Sequence, residues 1–181
     1  MSRIPTPATI AAAPAAAQPL LEAVRKQVGS APNLFRITAT SPAALEGYLS
    51  MSGALGKGVL NAATRERIAL AVADINGCDY CLAAHTYLGK NVAKLLSDAE
   101  IAANRSGRSG DAKANAAVAF AAKVTKNRGA VTDADFAEVR GAGYSDAEIV
   151  AHVALNTLTN YINEVFKTEV DFPVVPVKLA A

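Results

Sequence analysis

An all-α domain is the fold class predicted by three features of this 181-residue chain. It is rich in alanine and has few aromatics: 51% of residues are hydrophobic, 6% are aromatic and none is Trp. Alanine is the best helix former and lets helix axes approach closely. Helix-start patterns recur, at Ser41-Pro42, at Ser97-Asp98-Ala99-Glu100 and at Ser145-Asp146-Ala147-Glu148. No alternating run is long enough to propose a sheet.

Taken in order, residues 1–19 carry Pro5, Pro7, Pro14 and Pro19. They are expected to form an extended arm or a disordered leader, since the prolines make a poor signal-peptide core. Residues 20–181 are read as one domain. Leu20 to Val28 is a short amphipathic helix closed by Gly29. Pro32 to Phe35 is a turn carrying an apolar anchor. Ser41 is a capping hydroxyl with proline at the first helical position, and the helix it starts ends at Gly56 and Gly58.

Ile68, Ala71, Val72 and Ile75 give the apolar stripe of a helix from about Ala62 to Asn76. Gly77 permits a break, and the next helix is expected to run from the cysteines to about Leu96. A short helix follows from Ser97, then a loop at Ser106–Gly110. An Ala-rich helix covers Asp111–Lys126 and a short one Thr132–Arg140. A last helix opens at Ser145 and reaches about Phe166, and Pro173–Pro176 forms an extended tail. A shift of 81 places Thr64 on Ser145, Ile68 on Ile149 and Val72 on Val153, an echo that suggests two similar helical units.

Composition also excludes functions. The net charge is +2, and the basic residues form no run suited to nucleic acid or an anionic membrane. No stretch reaches the ~18 apolar residues of a membrane span. The expected compartment is cytoplasmic, where a close cysteine pair is more often catalytic or metal-binding than structural.

Both cysteines and one of two histidines fall within Cys78-Asp79-Tyr80-Cys81-Leu82-Ala83-Ala84-His85. On a helix, Cys81 and His85 share a face one turn apart, and Cys78 borders it. A helix start and an imidazole both lower a thiol pKa from about 8.5. This favours Cys81 as the attacking thiol and Cys78 as its resolving partner. Glu66 is either a proton partner for His85 or an acid in a helix's first turn, stabilised by the dipole. Tyr80 either joins a proton relay or packs.

Cys78, Cys81 and His85 with Glu66 or His152 would also count as zinc ligands, although a second CxxC is absent. His152 otherwise reads as a core or interface histidine. Asn156, Thr159, Asn160 and Asn163 form a polar set on the last helix, suited to bonds between helices.

Glu66 followed by Cys78-x-x-Cys81-x-x-x-His85 resembles the active-site motif of the AhpD-like alkylhydroperoxidases, within the carboxymuconolactone decarboxylase superfamily. TRERIALAVADINGCDYCLAAHTYLG at 64–89 carries the match. PNLFR at 32–36, SPAALEGYLSMSGALGKG at 41–58 and LTNYINEVFKTEVDFPVV at 158–175 resemble the peroxidase-related branch.

The resemblance implies two related helical units in a homotrimer or homohexamer, and thiol-dependent reduction of hydroperoxides in an antioxidant role. It assigns attack on peroxide to Cys81, and resolution and contact with a dithiol reductant of lipoyl type to Cys78. It assigns the proton relay to His85 and Glu66. No metal, flavin or other cofactor is implied. AhpD itself has a second histidine where this chain has Tyr80. Two alternatives are a decarboxylase-like enzyme using His85 and Glu66 on a small lactone or keto acid, and a non-enzymatic redox-sensing or zinc-holding module.

Overall fold

The computed structural model describes residues 2–160 and 168–172, and among these nine α-helices and no strand are present. They are α1 Gln18–Val28, α2 Asn33–Thr38, α3 Pro42–Gly56, α4 Ala62–Ile75, α5 Asp79–Tyr87, α6 Asp98–Arg105, α7 Ala112–Lys126, α8 Asp133–Gly141 and α9 Asp146–Asn160.

Helix starts follow side-chain caps. Ser41, Asn61, Ser97, Asp111 and Thr132 each accept a backbone N–H from the first turn of the helix they precede. Each satisfies a donor that the helix cannot pair internally. Ser145 and Glu148 make the reciprocal box expected of them. Ser97 and Glu100 make only half of theirs. The Glu100 carboxylate turns instead to Arg67, Asn104, Ser109 and the Gly110 N–H. It ties α4, α6 and the 106–111 loop together. Burial alone would push this carboxyl up, but those hydrogen bonds hold it at about 2.

α4 is the central helix, packed against α5, α6, α7 and α9. Its Ile68 and Val72 meet Ala117, Phe120 and Ala121 of α7, Val139 of α8 and Ile149 of α9. Alanines on α7 leave room for the larger side chains opposite. Each fully buried Ile or Leu contributes about 1.5–3 kcal/mol. In the 81-residue echo, Ile68 and Ile149 share this core, whereas Val72 is fully buried and its counterpart Val153 is 43% exposed.

A second cluster joins Ala13, Ala17 and Leu21 to Ala39 and Leu45. Here the structure differs from the expected flexible arm. A 3-10 turn at Ala15–Ala17 runs straight into α1, and Ala13 and Ala17 are buried. Gln18 holds the Ala13 carbonyl and Arg36 donates to the Pro7 and Ala8 carbonyls. Prolines fix the backbone of the arm, and alanine is small enough to pack without a recognisable apolar stripe.

Pro32–Phe35, expected as a turn, begins the short helix α2. Its first N–H, on Asn33, donates to Asp171 Oδ2 at 2.6 Å, and Asn33 Nδ2 donates to the Glu169 carbonyl. The cap thus comes from the far end of the chain. The cysteine helix is also shorter than expected: α5 ends at Tyr87 and passes into a π-helical turn, Leu88–Val92. The far end of the last helix near Phe166, the tail at Pro173–Pro176, and Asn163 lie outside the described residues, as do the side chains of Thr159 and Asn160. No helix among the described residues is long and apolar enough to cross a membrane.

Candidate active site

The site begins at the corner between α4 and α5. Gly77 takes φ +63°, a left-handed conformation that suits glycine. This lets the Cys78 N–H reach back to the Ala73 carbonyl at 2.9 Å and close α4. Cys78 is at the same time the N-cap of α5, its sulfur accepting the Cys81 N–H at 3.3 Å. One residue thus ends one helix and starts the next. The two cysteines are joined as a disulfide, with Cα atoms 5.4 Å apart.

One turn further along α5, His85 Nδ1 lies 2.9 Å from Glu66 Oε2 on α4. The packing of α4 against α5 creates this pair. Burial would lower the His85 pKa, but the charge and hydrogen bond of Glu66 outweigh it and raise it above 6.5. Nδ1 is engaged by the carboxylate, which leaves Nε2 for chemistry. Among the two readings of Glu66, the structure therefore places it as the partner of His85.

Cys81 and His85 both line an apolar cavity of about 120 Å³, together with Leu34, Phe35, Tyr48, Tyr80, Leu88 and Phe172. Cys78 does not line it. Both cysteines are buried, at 3% exposure for Cys78 and 4% for Cys81. His85 and Glu66 also border a second, larger groove of about 660 Å³ between α1, α3 and α4, mostly apolar but including Ser52, Lys57 and Arg65. The histidine thus stands between the chamber at Cys81 and a groove that carries two cationic side chains.

Of the two readings of Tyr80, relay member or packing aromatic, its contacts are those of the second. Its hydroxyl accepts the Leu34 N–H at 3.2 Å and is hydrogen-bonded to Asp171. Burial pushes its pKa far up, Leu34 draws it down somewhat and the Asp171 charge adds to the rise, so the phenol keeps its proton. Its ring meets Phe172 edge-on at 5.7 Å. Tyr80 anchors α2 and the 168–172 segment over the cysteine helix.

Among the described residues, no group of three or more His, Cys, Asp or Glu side chains is arranged to hold a metal. His152 is on α9, fully buried against the Tyr144 ring, in the core containing Ile149 and away from the cysteines. Sequence reasoning missed the walls of the cavity. One signal was available: the chain has five Phe and five Tyr, and four of these ten line the cavity.

The fold is shared with other proteins. A model of the carboxymuconolactone decarboxylase family matches residues 42–126. A peroxidase-related protein with an alkylhydroperoxidase AhpD core, from Ralstonia eutropha, superposes with a TM-score of 0.81 at 27% identity, over 94% of this chain and 92% of that one. A peroxidase-related protein from a Silicibacter species gives 0.74 at 26% identity, over 86% and 85%. The debrominase Bmp8, in complex with 2,3,4-tribromopyrrole, gives 0.78 at 16% identity over 94% of each chain, which is a likeness of fold. No curated protein sequence matches the chain. The chain shares the fold of AhpD-like peroxidase-related proteins and matches the carboxymuconolactone decarboxylase family over residues 42–126, and these relatives point to an enzyme.

Proposed function

We propose that this protein is a thiol-dependent hydroperoxide reductase. The observation that carries the reading is the position of Cys81. Cys81 lines an apolar cavity, is bonded to a neighbouring cysteine and lies one turn from a histidine held by a carboxylate.

In the proposed cycle, the Cys81 thiolate attacks the distal oxygen of ROOH. The O–O bond breaks and His85, as imidazolium, supplies the proton that completes ROH. Cys81 becomes sulfenic acid. The Cys78 sulfur then displaces the hydroxyl, which leaves as water, and the disulfide forms. Two thiols are oxidised for each hydroperoxide reduced, and a dithiol reductant restores them. Glu66 holds the imidazole ring and stabilises its charged form. An apolar wall favours organic hydroperoxides over hydrogen peroxide.

The cavity also bears on the alternatives. A keto acid carries a carboxylate, and no Lys or Arg is among the described residues lining the cavity at Cys81, whereas the neighbouring groove bordered by His85 and Glu66 holds Lys57 and Arg65, so a decarboxylase-like reaction would use that groove. Dehalogenation is the second reading: Phe35, Tyr48, Tyr80 and Phe172 would accept a halogenated aromatic ring beside the sulfur. Halide release from a bromopyrrole by the reduced protein tests it. An antioxidant role in the cytoplasm and a homotrimer or homohexamer belong to the same proposal. α3 supports the assembly: it is largely apolar, yet Leu45 is its one buried residue and Met51 is 40% exposed. Sedimentation measures the assembly.

The deciding experiment counts thiols before and after one equivalent of an organic hydroperoxide, with mass spectrometry locating the bond. Loss of both thiols into a Cys78–Cys81 linkage is expected. Cys81→Ser should abolish turnover, and Cys78→Ser should permit one oxidation that does not resolve. Thiols inert to hydroperoxide, or full turnover by Cys81→Ser, would overturn the reading.

A further inference from the structure

We infer that the reductant of this disulfide attacks Cys81, through the same apolar chamber that admits the oxidant, and is a slender uncharged thiol. The inference rests on the thiol cycle proposed above and reverses the order suggested by family resemblance, in which Cys78 meets the reductant.

Three observations carry it. The first is access. A thiolate displaces a disulfide sulfur in line, approaching one sulfur from the side opposite the other. Cys81 lines the cavity and Cys78 does not, so the cavity reaches the disulfide from the Cys81 side. Cys78 is 3% exposed at the α4–α5 corner, among Ala73, Tyr80 and Ala84, with Leu34 and Phe172 packed against the same cluster.

The second observation is the leaving group. When the bond breaks, the electron pair must go to Cys78. Its sulfur is the N-cap of α5 and already accepts the Cys81 N–H at 3.3 Å. A thiolate there meets the positive end of the helix and an oriented donor. Disulfides open faster toward the sulfur that better carries negative charge. Attack on Cys78 would instead expel Cys81, whose thiolate the first turn of α5 and His85 also favour, so access decides which sulfur is attacked.

The third observation is the wall. Apart from His85, every described side chain that lines the cavity is uncharged, and the volume is about 120 Å³. Phe172 closes one side, against Tyr80 at 5.7 Å and Tyr87 at 6.1 Å. Glutathione carries two carboxylates and an ammonium group, and burying these without partners is costly. A thiol on a narrow apolar stem leaves its charge outside, or has none.

Atoms and electrons balance in this step. His85 as neutral imidazole takes the proton of RSH. The thiolate bonds to Cys81 Sγ, the Cys81–Cys78 bond breaks, and Cys78 leaves as a thiolate. A second thiol, from the same dithiol or another molecule, attacks the sulfur of R and frees Cys81. Two RSH become RSSR, and the protein disulfide becomes two thiols.

The test uses wild-type protein whose disulfide has been formed with diamide, so it does not depend on peroxide activity. Benzyl mercaptan is added, and the reaction is quenched at early times with excess N-ethylmaleimide and then digested for mass spectrometry. The expected product carries the benzyl thiol on Cys81 and maleimide on Cys78. The opposite placement overturns the inference. In parallel, reduction is timed with benzyl mercaptan and with glutathione at equal thiolate concentration. Benzyl mercaptan should be at least about tenfold faster, since each ~1.4 kcal/mol of unpaired burial is a factor of ten. Equal rates overturn the reductant class. If hydroperoxide fails to oxidise the thiols while the Cys81 adduct still forms, it is the peroxidase reading that fails.

Discussion

His152→Leu should make the protein less sensitive to acid without weakening it at neutral pH. His152 is fully buried, its ring meets Tyr144 edge-on at 5.2 Å, and neither ring nitrogen has a hydrogen-bond partner among the described residues. Burial lowers its pKa, against a smaller upward pull from Glu148, to about 4 from the usual 6.5. The folded state therefore binds this proton less readily than the unfolded chain. Stability from the neutral ring is full above pH 6.5 and is lost as pH falls toward 4.

Between pH 7 and pH 4.5 the loss comes to about 2–3 kcal/mol, with a limiting slope of ~1.4 kcal/mol per pH unit. His85 works in the opposite sense and in another window. Its folded pKa is raised, so its contribution is complete below 6.5 and disappears as pH rises through the folded value. Glu100 acts only between 4.5 and about 2. The assay is urea unfolding at pH 4.5, 5.5, 6.5 and 7, by helical circular dichroism. Leucine is a substitute of similar bulk that leaves no polar atom unpaired. The variant's midpoint should match or exceed wild type at pH 7 and stay nearly flat down to pH 4.5. A wild-type slope that survives in His152→Leu would refute the reasoning.

Glu66→Gln removes the charge that raises His85. The rate of Cys81 oxidation should fall about 10²-fold, and its pH profile should move to lower pH, in stopped-flow assays with an organic hydroperoxide. Tyr80→Phe removes an acceptor for the Leu34 N–H and a partner for Asp171. A loss of about 1–3 kcal/mol in chemical denaturation is expected, with turnover of the folded protein kept within about threefold. Lost turnover at unchanged stability would instead make Tyr80 a proton carrier. Glu100→Gln should cost about 2–3 kcal/mol at pH 7, because the folded carboxyl titrates near 2 and the unfolded one near 4.5, with some of the difference lost to solvent screening. The deficit should close as pH falls toward 2, in acid titrations followed by circular dichroism.

What the sequence made legible was local. Ser41, Ser145 and Gly77 act within a few residues of where they stand, so helix bounds could be read from them. The pairing of Glu66 with His85 was legible from a spacing shared with a family; unaided, Glu66 also fitted a helix's first turn.

What was hidden depends on distant partners. α2 is a helix because Asp171, 138 residues later, accepts its first N–H. Tyr80 looked like a relay member because it stands between the cysteines, and only the approach of Leu34 and Asp171 gives its hydroxyl other work. Ala13 and Ala17 carry too little side chain to announce their burial. The cavity draws on α2, α3, α5, α9 and the 168–172 segment, and no short window of sequence holds two of its aromatic walls, Phe35, Tyr48, Tyr80 and Phe172.

The shared corner residue has an electrochemical consequence. Cys78 caps α5 in the disulfide, and a reduced Cys78 thiolate at the same position would bring a full negative charge to the helix start. Such a charge is worth about 0.3–1 kcal/mol there, up to ~2 in a partly buried site. For a two-electron couple, 30 mV corresponds to ~1.4 kcal/mol, so the cap raises the reduction potential of the pair by roughly 6–40 mV. The helix that places the thiols thus also makes their disulfide a better oxidant, and widens the range of cellular dithiols with enough driving force to reset it.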